Sequence, residues 1–337
     1  CLNKMEIALE LAQNNTAYED MATKFFEPFT YIASSLNHIG EDFQGSWDEE
    51  EGFFYDILKM PENKFIPVKI RSLVGLVTLF AVHVIDKELC EKVPEFHRRL
   101  KWFVRYRQKN KQYQVIEDID DKSGILLSLV PYKRLKKILG ALLDENEFLS
   151  PGGIRSLSKI HEKPYKIIIG GKEFGLNYQP GESNSDLFGG NSNWRGPVWM
   201  PENTMIIRGL WQYYLYYGDT FKIECPTGSG KMMNLFEVGK EISDRLSHIF
   251  LRDEKGKRAV YGGAKKFQDD PHWRDHILFY EYFHGDNGAG LGASHQTGWT
   301  GLIAKLIQLS AQLDPKRALE MGKMAAFRKV VQEAVGS

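Results

Sequence analysis

The segment from residue 189 to residue 199 concentrates side chains that proteins use to bind sugars. Trp194 and Trp199 could stack on the flat CH faces of a pyranose, and Arg195, Asn191 and Asn193 could bind its hydroxyl groups. Taken singly, a tryptophan is more often part of a hydrophobic core, and the segment could instead cap the helix predicted to follow it. The density of aromatic and polar side chains in one glycine-rich stretch favours a binding site.

A second segment, residues 279–288, places Glu281 among four aromatic residues. Burial among aromatic rings raises the pKa of a carboxyl group, and a nearby charge or hydrogen bond can lower it again. A carboxylate of this kind can act as a general base towards water. The alternative is a glutamate on the solvated edge of a helix, which the adjoining aromatic residues disfavour.

A third segment, residues 293–301, supplies His295 and Trp299 after the glycine-rich stretch 288–292. Glycines permit tight turns, which could return both side chains to the neighbourhood of Glu281. A lone histidine is more often structural than catalytic, and Thr297 could simply cap the last helix.

A fourth segment, residues 47–56, sets a run of acids between Trp47 and Tyr55. Such a run is typical of a solvated turn. A carboxylate such as that of Asp48, next to aromatic platforms, is also what a pyranose subsite requires. Arg71 could neutralise one of these acids or form an ordinary surface pair, and the sequence favours neither.

Two glycine-rich stretches resemble nucleotide-binding motifs but lack residues that those motifs require. Residues 227–231 resemble a phosphate-binding loop, but Cys225 and Met232 stand where that loop requires Gly and Ser or Thr. Residues 288–293 fit a loose dinucleotide pattern, yet no convincing strand precedes them and no acid follows at the required spacing.

Composition excludes several classes of protein. The 337 residues contain 44 Lys+Arg and 44 Asp+Glu, so no polyanionic partner is indicated and we expect no nucleic-acid binding. No apolar run approaches the roughly 18 residues that a membrane-spanning helix needs, so we expect no membrane partner. Cys1, Cys90 and Cys225 are too few and too scattered for a disulfide framework, which predicts a reducing, cytoplasmic location.

The spacing of apolar residues predicts helices separated by long loops. Asp86 is the predicted N-cap of the helix at 87–107. The helices cover residues 5–11 with 17–36, 72–85, 87–107, 134–144, 198–217, 232–251, 298–313 and 315–334. Short extended stretches are predicted at 53–58, 64–70 and 165–174. Paired helices with functional loops at one end favour an all-α toroid over a doubly wound sheet.

Four segments, residues 47–56, 188–199, 279–286 and 294–299, resemble signature segments of glycoside hydrolase family 63, the processing α-glucosidases. The similarity runs from near residue 1 to about residue 313 and looks closest to the soluble bacterial branch. It implies an (α/α)6 barrel over residues 1–313, N-terminally incomplete, followed by a helical extension at 314–337. It also implies no metal or organic cofactor, a carbohydrate substrate, and hydrolysis of an α-glucosidic or related α-mannosidic bond with inversion.

The same resemblance implies roles for individual residues. Glu281 matches the general base that activates the attacking water. The segments that line the sugar pocket contain Trp47, Asp48, Tyr55, Arg71, Trp194, Arg195, Trp199, His295 and Trp299.

The general acid is where this sequence departs from the family. There the acid is an aspartate in a Gly-Leu-Asp segment, and the nearest string here, Gly175-Leu176-Asn177, has none. We expect the acid to lie upstream of this chain, with Asp48 as the alternative. Two other functions stay open: a catalytically silent carbohydrate-binding protein, and a phosphorolytic enzyme in which Lys231 would bind phosphate.

Overall fold

The computed structural model describes residues 1–37, 45–109, 116–117, 124–182, 194–316 and 319. Most of its regular structure is helical. The α-helices of the described residues are α1 (Leu2–Ala12), α2 (Ala17–Asn37), α3 (Leu73–Leu76), α4 (Lys87–Lys92), α5 (Pro94–Lys109), α6 (Tyr132–Leu142), α7 (Met200–Tyr217), α8 (Leu235–His248), α9 (Lys265–Asp269) and α10 (Leu302–Gln312).

The strands are short and form small antiparallel sheets between the helices. They are β1 (Trp47–Asp48), β2 (Phe53–Phe54), β3 (Asp56–Lys59), β4 (Phe65–Val68), β5 (Val82–Ile85), β6 (Ile116–Glu117), β7 (Ile125–Ser128), β8 (Leu149–Ser150), β9 (Gly153–Ile154), β10 (Tyr165–Ile169), β11 (Lys172–Leu176), β12 (Lys222–Glu224), β13 (Met232–Asn234), β14 (Tyr282–Phe283) and β15 (Gly290–Leu291). Each pairs with its sequence neighbour, except that β7 lies between β5 and β6.

The helices pack pairwise around one hydrophobic core. α1 contacts α2, α2 contacts α5, and α7 contacts both α8 and α10. The core runs through all of these helices and α6, with Tyr213 and Tyr214 of α7 among its largest fully buried side chains. The prediction of a mostly helical fold is confirmed, whereas the described helices do not by themselves close into a barrel.

α7 lies unusually close to the chain that precedes β5. A Cβ atom on Gly209 would stand 2.5 Å from the carbonyl oxygen of Leu79, so only glycine permits this approach. One turn later the Gln212 side chain accepts a hydrogen bond from Val84 N at 3.2 Å. Together these contacts tie the central helix to the three-stranded sheet.

The prediction of a single helix over residues 72–85 is wrong. The structure has the short helix α3, a 3₁₀ turn at Val77–Phe80 and then strand β5. The β-branched residues of β5 are buried against β7, where Ile85 faces Ile125, and β-branched side chains suit a pleated sheet better than a helix. Tertiary pairing therefore overrides the apolar spacing that suggested a helix.

Other predicted boundaries shift for local reasons. The helix expected at 87–107 is two helices, because Pro94 lacks a backbone N–H and begins α5 afresh. The predicted N-cap at Asp86 is confirmed, since its carboxylate accepts a hydrogen bond from Leu89 N at 2.7 Å. The stretch expected at 165–174 is a hairpin with its turn at Gly170 and Gly171. The extension expected at 314–337 falls largely on residues outside the described ones.

α8 starts later than predicted because Asn234 caps it. The Asn234 side chain accepts a hydrogen bond from Glu237 N at 2.9 Å, and the Glu237 carboxylate accepts one from Asn234 N at 2.8 Å. This capping box satisfies two backbone N–H groups that a helix start leaves without partners. Met232 and Met233 then lie in β13 instead of in the helix.

We expect Asn234→Ala to destabilise the chain by about 1–2 kcal/mol, because it removes the cap of a helix in the core. Equilibrium urea unfolding followed by circular dichroism measures the change. Lys240→Ala on the exposed face of α8 is the matched control; it removes only an i,i+4 pair with Asp244 and should cost about 0.5 kcal/mol or less. Equal effects of the two variants would contradict a stabilising role for the cap.

Candidate active site

The segment 155–158 joins the regions that the sequence analysis singled out separately. On one side, Ser158 N donates a hydrogen bond to Arg71 O at 2.9 Å. On the other side, Ser156 N donates to Pro197 O, also at 2.9 Å. The residues around Arg71 and those around the tryptophans therefore flank one extended segment.

A reciprocal backbone pair attaches the segment that carries Glu281. Val198 N donates to Phe283 O at 2.8 Å, and Phe283 N donates back to Val198 O at 2.9 Å. Both residues are fully buried. This pairing places Trp199, which immediately precedes α7, against Tyr282.

Three aromatic rings lie in a row at this point, with a fourth at their edge; we call them the aromatic stack. Trp194 lies on Trp199 with ring centroids 4.2 Å apart and nearly parallel planes at 8°. Trp199 lies in turn on Tyr282 at 4.8 Å, and Trp299 meets Trp199 edge-on at 6.1 Å. Trp199 is buried, whereas 37% of Trp194 is exposed. The outermost ring is therefore the one that a ligand can reach.

Trp299 contributes a buried donor to the aromatic stack. Its indole Nε1 is shielded from solvent and has no acceptor among the described residues. Buried N–H groups are normally paired, so this one is available to an oxygen atom of a bound molecule. The turn around it is held by Thr300, whose hydroxyl donates to Tyr280 O at 2.5 Å.

Glu281 lies immediately before β14 and is partly buried. Its Oε2 accepts a hydrogen bond from Ala293 N at 3.3 Å, and no described residue donates to Oε1. Gly292 has a φ of +72°, and a Cβ there would stand 2.8 Å from Oε2, so the chain can pass this close only as glycine. One carboxylate oxygen is thus fixed while the other is left for a ligand or water.

His295 and Arg195 occupy different surroundings. His295 is exposed, its Nδ1 lies 2.9 Å from Ser294 Oγ, and its backbone pairs with Phe279 two residues before Glu281. Arg195 is 3% exposed, and burial lowers the pKa of its guanidinium. Its carbonyl accepts a hydrogen bond from Gln179 N at 2.6 Å.

Asp48 has two structural tasks in the hairpin turn between β1 and β2. Its Oδ1 accepts hydrogen bonds from Glu50 N at 3.0 Å and Glu51 N at 2.9 Å, and its Oδ2 pairs with Lys69 Nζ at 2.9 Å. Lys69 Nζ also lies 2.7 Å from Glu51 Oε1. Lys69 therefore joins two acids of the turn, whereas Glu49 of the same run pairs with Arg134 at 2.7 Å.

Tyr55 and Arg71 continue this network inwards. The Tyr55 hydroxyl donates to Glu51 Oε2 at 2.5 Å and accepts from Arg71 Nε at 3.1 Å. Arg71 Nη1 forms an ion pair with Glu147, and Ser158 Oγ donates to that same carboxylate at 3.1 Å. Arg71 thus neutralises a carboxylate outside the predicted run of acids, in a pair that is mostly shielded from solvent.

Trp47 lies beneath the network and not at its surface. It is 5% exposed and meets Phe54 edge-on at 4.9 Å. The guanidinium of Arg134 covers its ring at 4.7 Å from the centroid, a cation–π contact. The structure therefore places Trp47 in the core that supports the β1–β2 turn.

The network fixes the charges of its members. Burial raises the pKa of Asp48, but the Glu51 N–H and Lys69 outweigh it and hold that pKa below its ordinary value. Burial also raises the pKa of Glu51, but hydrogen bonds from Lys69 and Tyr55 outweigh it, so that pKa too lies below its ordinary value. Burial would lower the pKa of Arg71, yet Glu147 and Tyr55 raise it. These groups are all ionised at neutral pH.

Comparison with known proteins identifies the kind of domain. A family model of the mannosylglycerate hydrolase MGH1-like glycoside hydrolase domain matches residues 92–300, more than half of the chain. The chain belongs to this glycoside hydrolase family. The predicted resemblance is thereby confirmed at the level of a glycoside hydrolase domain.

Three fungal proteins are similar to this glycoside hydrolase chain. An uncharacterized protein of Saccharomyces cerevisiae is 46% identical over 91% of the chain and 30% of its own length. A probable mannosyl-oligosaccharide glucosidase of Schizosaccharomyces pombe is 27% identical over 54% of the chain and 16% of its own length. The mannosyl-oligosaccharide glucosidase of Saccharomyces cerevisiae is 23% identical over the same shares. The chain spans less than a third of each of these relatives.

Two features of this glycoside hydrolase domain carried no usable sequence signal. Arg155 is buried, and its Nη2 pairs with Asp286 Oδ1 at 3.1 Å while Tyr178 donates to the same oxygen at 2.9 Å. Glu202, in the first turn of α7, has a buried Oε2 without a partner among the described residues, and burial raises its pKa. The Arg155–Asp286 pair joins residues 131 positions apart in sequence, so no local pattern reveals it.

Residues 227–231, which resemble a phosphate-binding loop, form the turn of the β12–β13 hairpin, and their backbone N–H groups bind the carboxylate of Glu224. Glu224 accepts hydrogen bonds from Gly228 N at 2.8 Å and from Gly230 N. These are the backbone donors that a phosphate would need. Lys231 follows on the exposed side of β12–β13, so the phosphorolytic alternative receives no support here.

Two of the residues predicted to bind a sugar, Asn191 and Asn193, lie outside the described residues.

Within the described ranges, no group of three His, Cys, Asp or Glu side chains could hold a metal ion. None of the helices described is both long enough and apolar enough to cross a membrane.

The ion-pair network predicts a pH-dependent effect of Lys69→Met. Lowered carboxyl pKa values contribute stability above the ordinary values of 3.8 and 4.5, and that contribution disappears as the pH falls through the lower folded-state values. The variant should lose at most about 1 kcal/mol at pH 7, because the pairs are partly exposed. The difference from the native chain should begin to shrink as the pH falls below 4.5, and should vanish only once the pH is below the lowered folded-state pKa values of both carboxyl groups.

Urea unfolding at a series of pH values tests this expectation. Lys166→Met is the control, since its pair with Glu173 at 2.7 Å lies on the exposed β10–β11 hairpin. A Lys69→Met effect that is independent of pH would show that Lys69 acts through packing instead of charge.

Proposed function

We propose that this chain forms most of the catalytic domain of an inverting glycoside hydrolase. It would cleave an α-glucosidic, or related α-mannosidic, bond of a small oligosaccharide or glycoside. What supports the proposal is the position of Glu281, with one fixed and one open carboxylate oxygen, on the segment paired to Trp199. Membership of a glycoside hydrolase family supplies the reaction class.

In the proposed mechanism Glu281 acts as general base. Its Oε1 would take a proton from a water molecule that attacks the anomeric carbon. An inverting enzyme leaves room for this water by holding its two carboxyl groups roughly 6.5–9.5 Å apart. The hydrogen bond from Ala293 N to Oε2 would orient the carboxylate for that transfer.

The proposed general acid is an aspartate outside these 337 residues. Asp48, the alternative, is a poor proton donor, because its interactions with Lys69 and the turn lower its pKa and keep it ionised. A general acid must be protonated at the working pH. Asp48 is therefore better suited to fixing the turn than to protonating a leaving group.

Some of the remaining predicted residues would contact the sugar, and others would support the pocket. Trp194 would offer its open face to a pyranose ring, and Trp299 Nε1 would donate to a hydroxyl. Arg195, Trp199 and His295 would complete the pocket. The network residues Asp48, Tyr55 and Arg71 would shape its wall, with Trp47 supporting them from below.

The finer features of the proposal extend beyond the described residues. The helices would belong to an (α/α)6 toroid that spans residues 1–313. The names of two relatives suggest a glucose-terminated oligosaccharide as substrate. The soluble bacterial branch and the cytoplasmic location stay predictions, and the three relatives named above are all fungal.

We expect Glu281→Gln to lower the hydrolysis of α-glucosyl fluoride by about 10²–10⁴-fold, because the amide cannot accept the proton from water. Initial rates of fluoride release measure the effect, and proton NMR should show β-glucose as the first product of the native chain. Glu173→Gln, the same change on an exposed hairpin, should leave the rate unaltered. Undiminished activity of Glu281→Gln would reject Glu281 as the base.

The choice of leaving group tests where the general acid lies. Fluoride departs without protonation, whereas an alcohol leaving group needs an acid worth about 10²–10⁴-fold in rate. We therefore expect this chain to hydrolyse α-glucosyl fluoride but to act on kojibiose slower by that factor. Comparable kcat/KM values would place the acid within the chain.

Two further outcomes separate the alternatives. If Asp48 were the acid, Asp48→Asn would slow kojibiose hydrolysis and spare the fluoride. Binding of glucose or kojibiose by calorimetry, with neither substrate turned over, would instead identify a silent carbohydrate-binding domain.

A further inference from the structure

The outer face of α5 carries an unusual combination of side chains. Positions three and four apart along a helix share one face. One such stripe consists of Arg98, Lys101, Trp102, Arg105, Tyr106 and Lys109. The opposite face of α5 buries Phe96, Leu100 and Val104 in the core. The stripe is therefore held outwards by a well-anchored helix.

Two aromatic rings form a platform within the stripe. Trp102 and Tyr106 are stacked with centroids 5.5 Å apart and planes at 18°. Trp102 is 65% exposed and Tyr106 is 49% exposed, although both are large and partly apolar. Because the two rings are already stacked on each other, a ligand that binds to their flat apolar surface would cause little further loss of side-chain conformational entropy.

The cations beside this platform are not all neutralised. Arg98 pairs with Glu95 at 2.5 Å, and Arg99 pairs with Asp20 at 2.5 Å. Lys101 and Arg105 form no ion pair or hydrogen bond with the part of the chain that the structure describes. The chain as a whole has equal numbers of acidic and basic residues, so this positive patch is local.

A shallow depression of about 540 Å³, open to solvent, lies over the patch, and its five bordering side chains all come from α5: Arg98, Arg99, Lys101, Trp102 and Arg105. Small-molecule sites commonly measure about 300–1,000 Å³. A ligand here would meet the Trp102 ring and two cations, Lys101 and Arg105, that form no ion pair with the described residues, beside two cations already paired with Glu95 and Asp20. A bare anion would leave Trp102 unused, and a neutral sugar would leave the cations unused.

We propose that this face of α5 binds an anionic saccharide, such as a sugar phosphate. The CH face of the pyranose would lie on Trp102, and Lys101 and Arg105 would bind the anionic group. α5 packs against α2 and α4, whereas the aromatic stack lies at the start of α7. The site is therefore separate from the proposed active site and does not depend on the proposed hydrolysis.

Calorimetric titration of the whole chain with glucose 6-phosphate tests the proposal. Trp102→Ala should weaken binding about tenfold, as should the double variant Lys101→Gln with Arg105→Gln. Added salt should weaken binding to the native chain, because the cations lie at the surface. Glucose itself serves to monitor the aromatic stack and should bind the variants and the native chain alike.

Matched variants control for general surface effects. Trp273→Ala removes another exposed tryptophan with a lysine over its ring, and Lys163→Gln with Lys172→Gln removes two other exposed cations. Neither should change the affinity for glucose 6-phosphate. All variants should retain the native circular dichroism spectrum, since the substituted side chains are exposed.

Three results would overturn the proposal. Inorganic phosphate that binds as tightly as glucose 6-phosphate would reduce the site to an anion patch. Binding of glucose 6-phosphate that survives Trp102→Ala would place the ligand elsewhere. Binding to vesicles of phosphatidylserine in phosphatidylcholine through Trp102, without binding of the sugar phosphate, would replace the saccharide by a membrane surface.

Discussion

The reciprocal hydrogen bonds between Val198 and Phe283 are the constraint on which the candidate site depends. They join two segments more than 80 residues apart and align the side chains next to them. Because side chains alternate along extended backbone, fixing this pair also fixes the neighbours Trp199 and Tyr282. The stack of these rings then sets where Trp194 lies. A shift of register by one residue would turn these rings to the other side.

Long-range backbone pairing of this kind explains how a helical fold holds a site made of loops. The segment 155–158 extends the same arrangement to Arg71, so four segments distant in sequence behave as a small irregular sheet. The helices and the short strands share one buried apolar core, and α7 places Tyr213 and Tyr214 in it. The loops can then hold polar groups whose positions are fixed by hydrogen bonds. Stability and chemistry are thereby assigned to different parts of the chain.

The sequence predicted well what depends on local pattern and poorly what depends on contacts. The helical character and the cap at Asp86 follow from short-range rules, and the structure has both. The helix expected at 72–85 failed because the partner of β5 is β7, some 40 residues away. No pattern of residues within residues 72–85 indicates that β5 pairs with β7.

The candidate site shows the same division. Glu281 and the tryptophans stand out by composition, and the structure brings Trp199 and Trp299 together beside the segment of Glu281. The burial of Trp47 and the pairing of Arg71 with Glu147 could not be read from the sequence. Trp47 is covered by Arg134, and Arg71 is paired with Glu147, and both of these partners are distant in sequence. Composition identifies candidates, but only tertiary contacts separate a wall of the site from its support.

The distribution of charge among the carboxylates limits which of them could do acid chemistry. A carboxylate that fixes a loop by pairing with a cation must stay ionised, and the same pairing lowers its pKa. Asp48 and Glu51 are in this position because Lys69 joins them. A group cannot be held ionised for structural reasons and also be protonated for catalysis at the same pH. Glu281, which forms no ion pair within the described residues, is free of this conflict as a base. In the proposed mechanism the proton donor to the leaving group would therefore come from surroundings without a paired cation, which the turn at residues 48–51 does not provide.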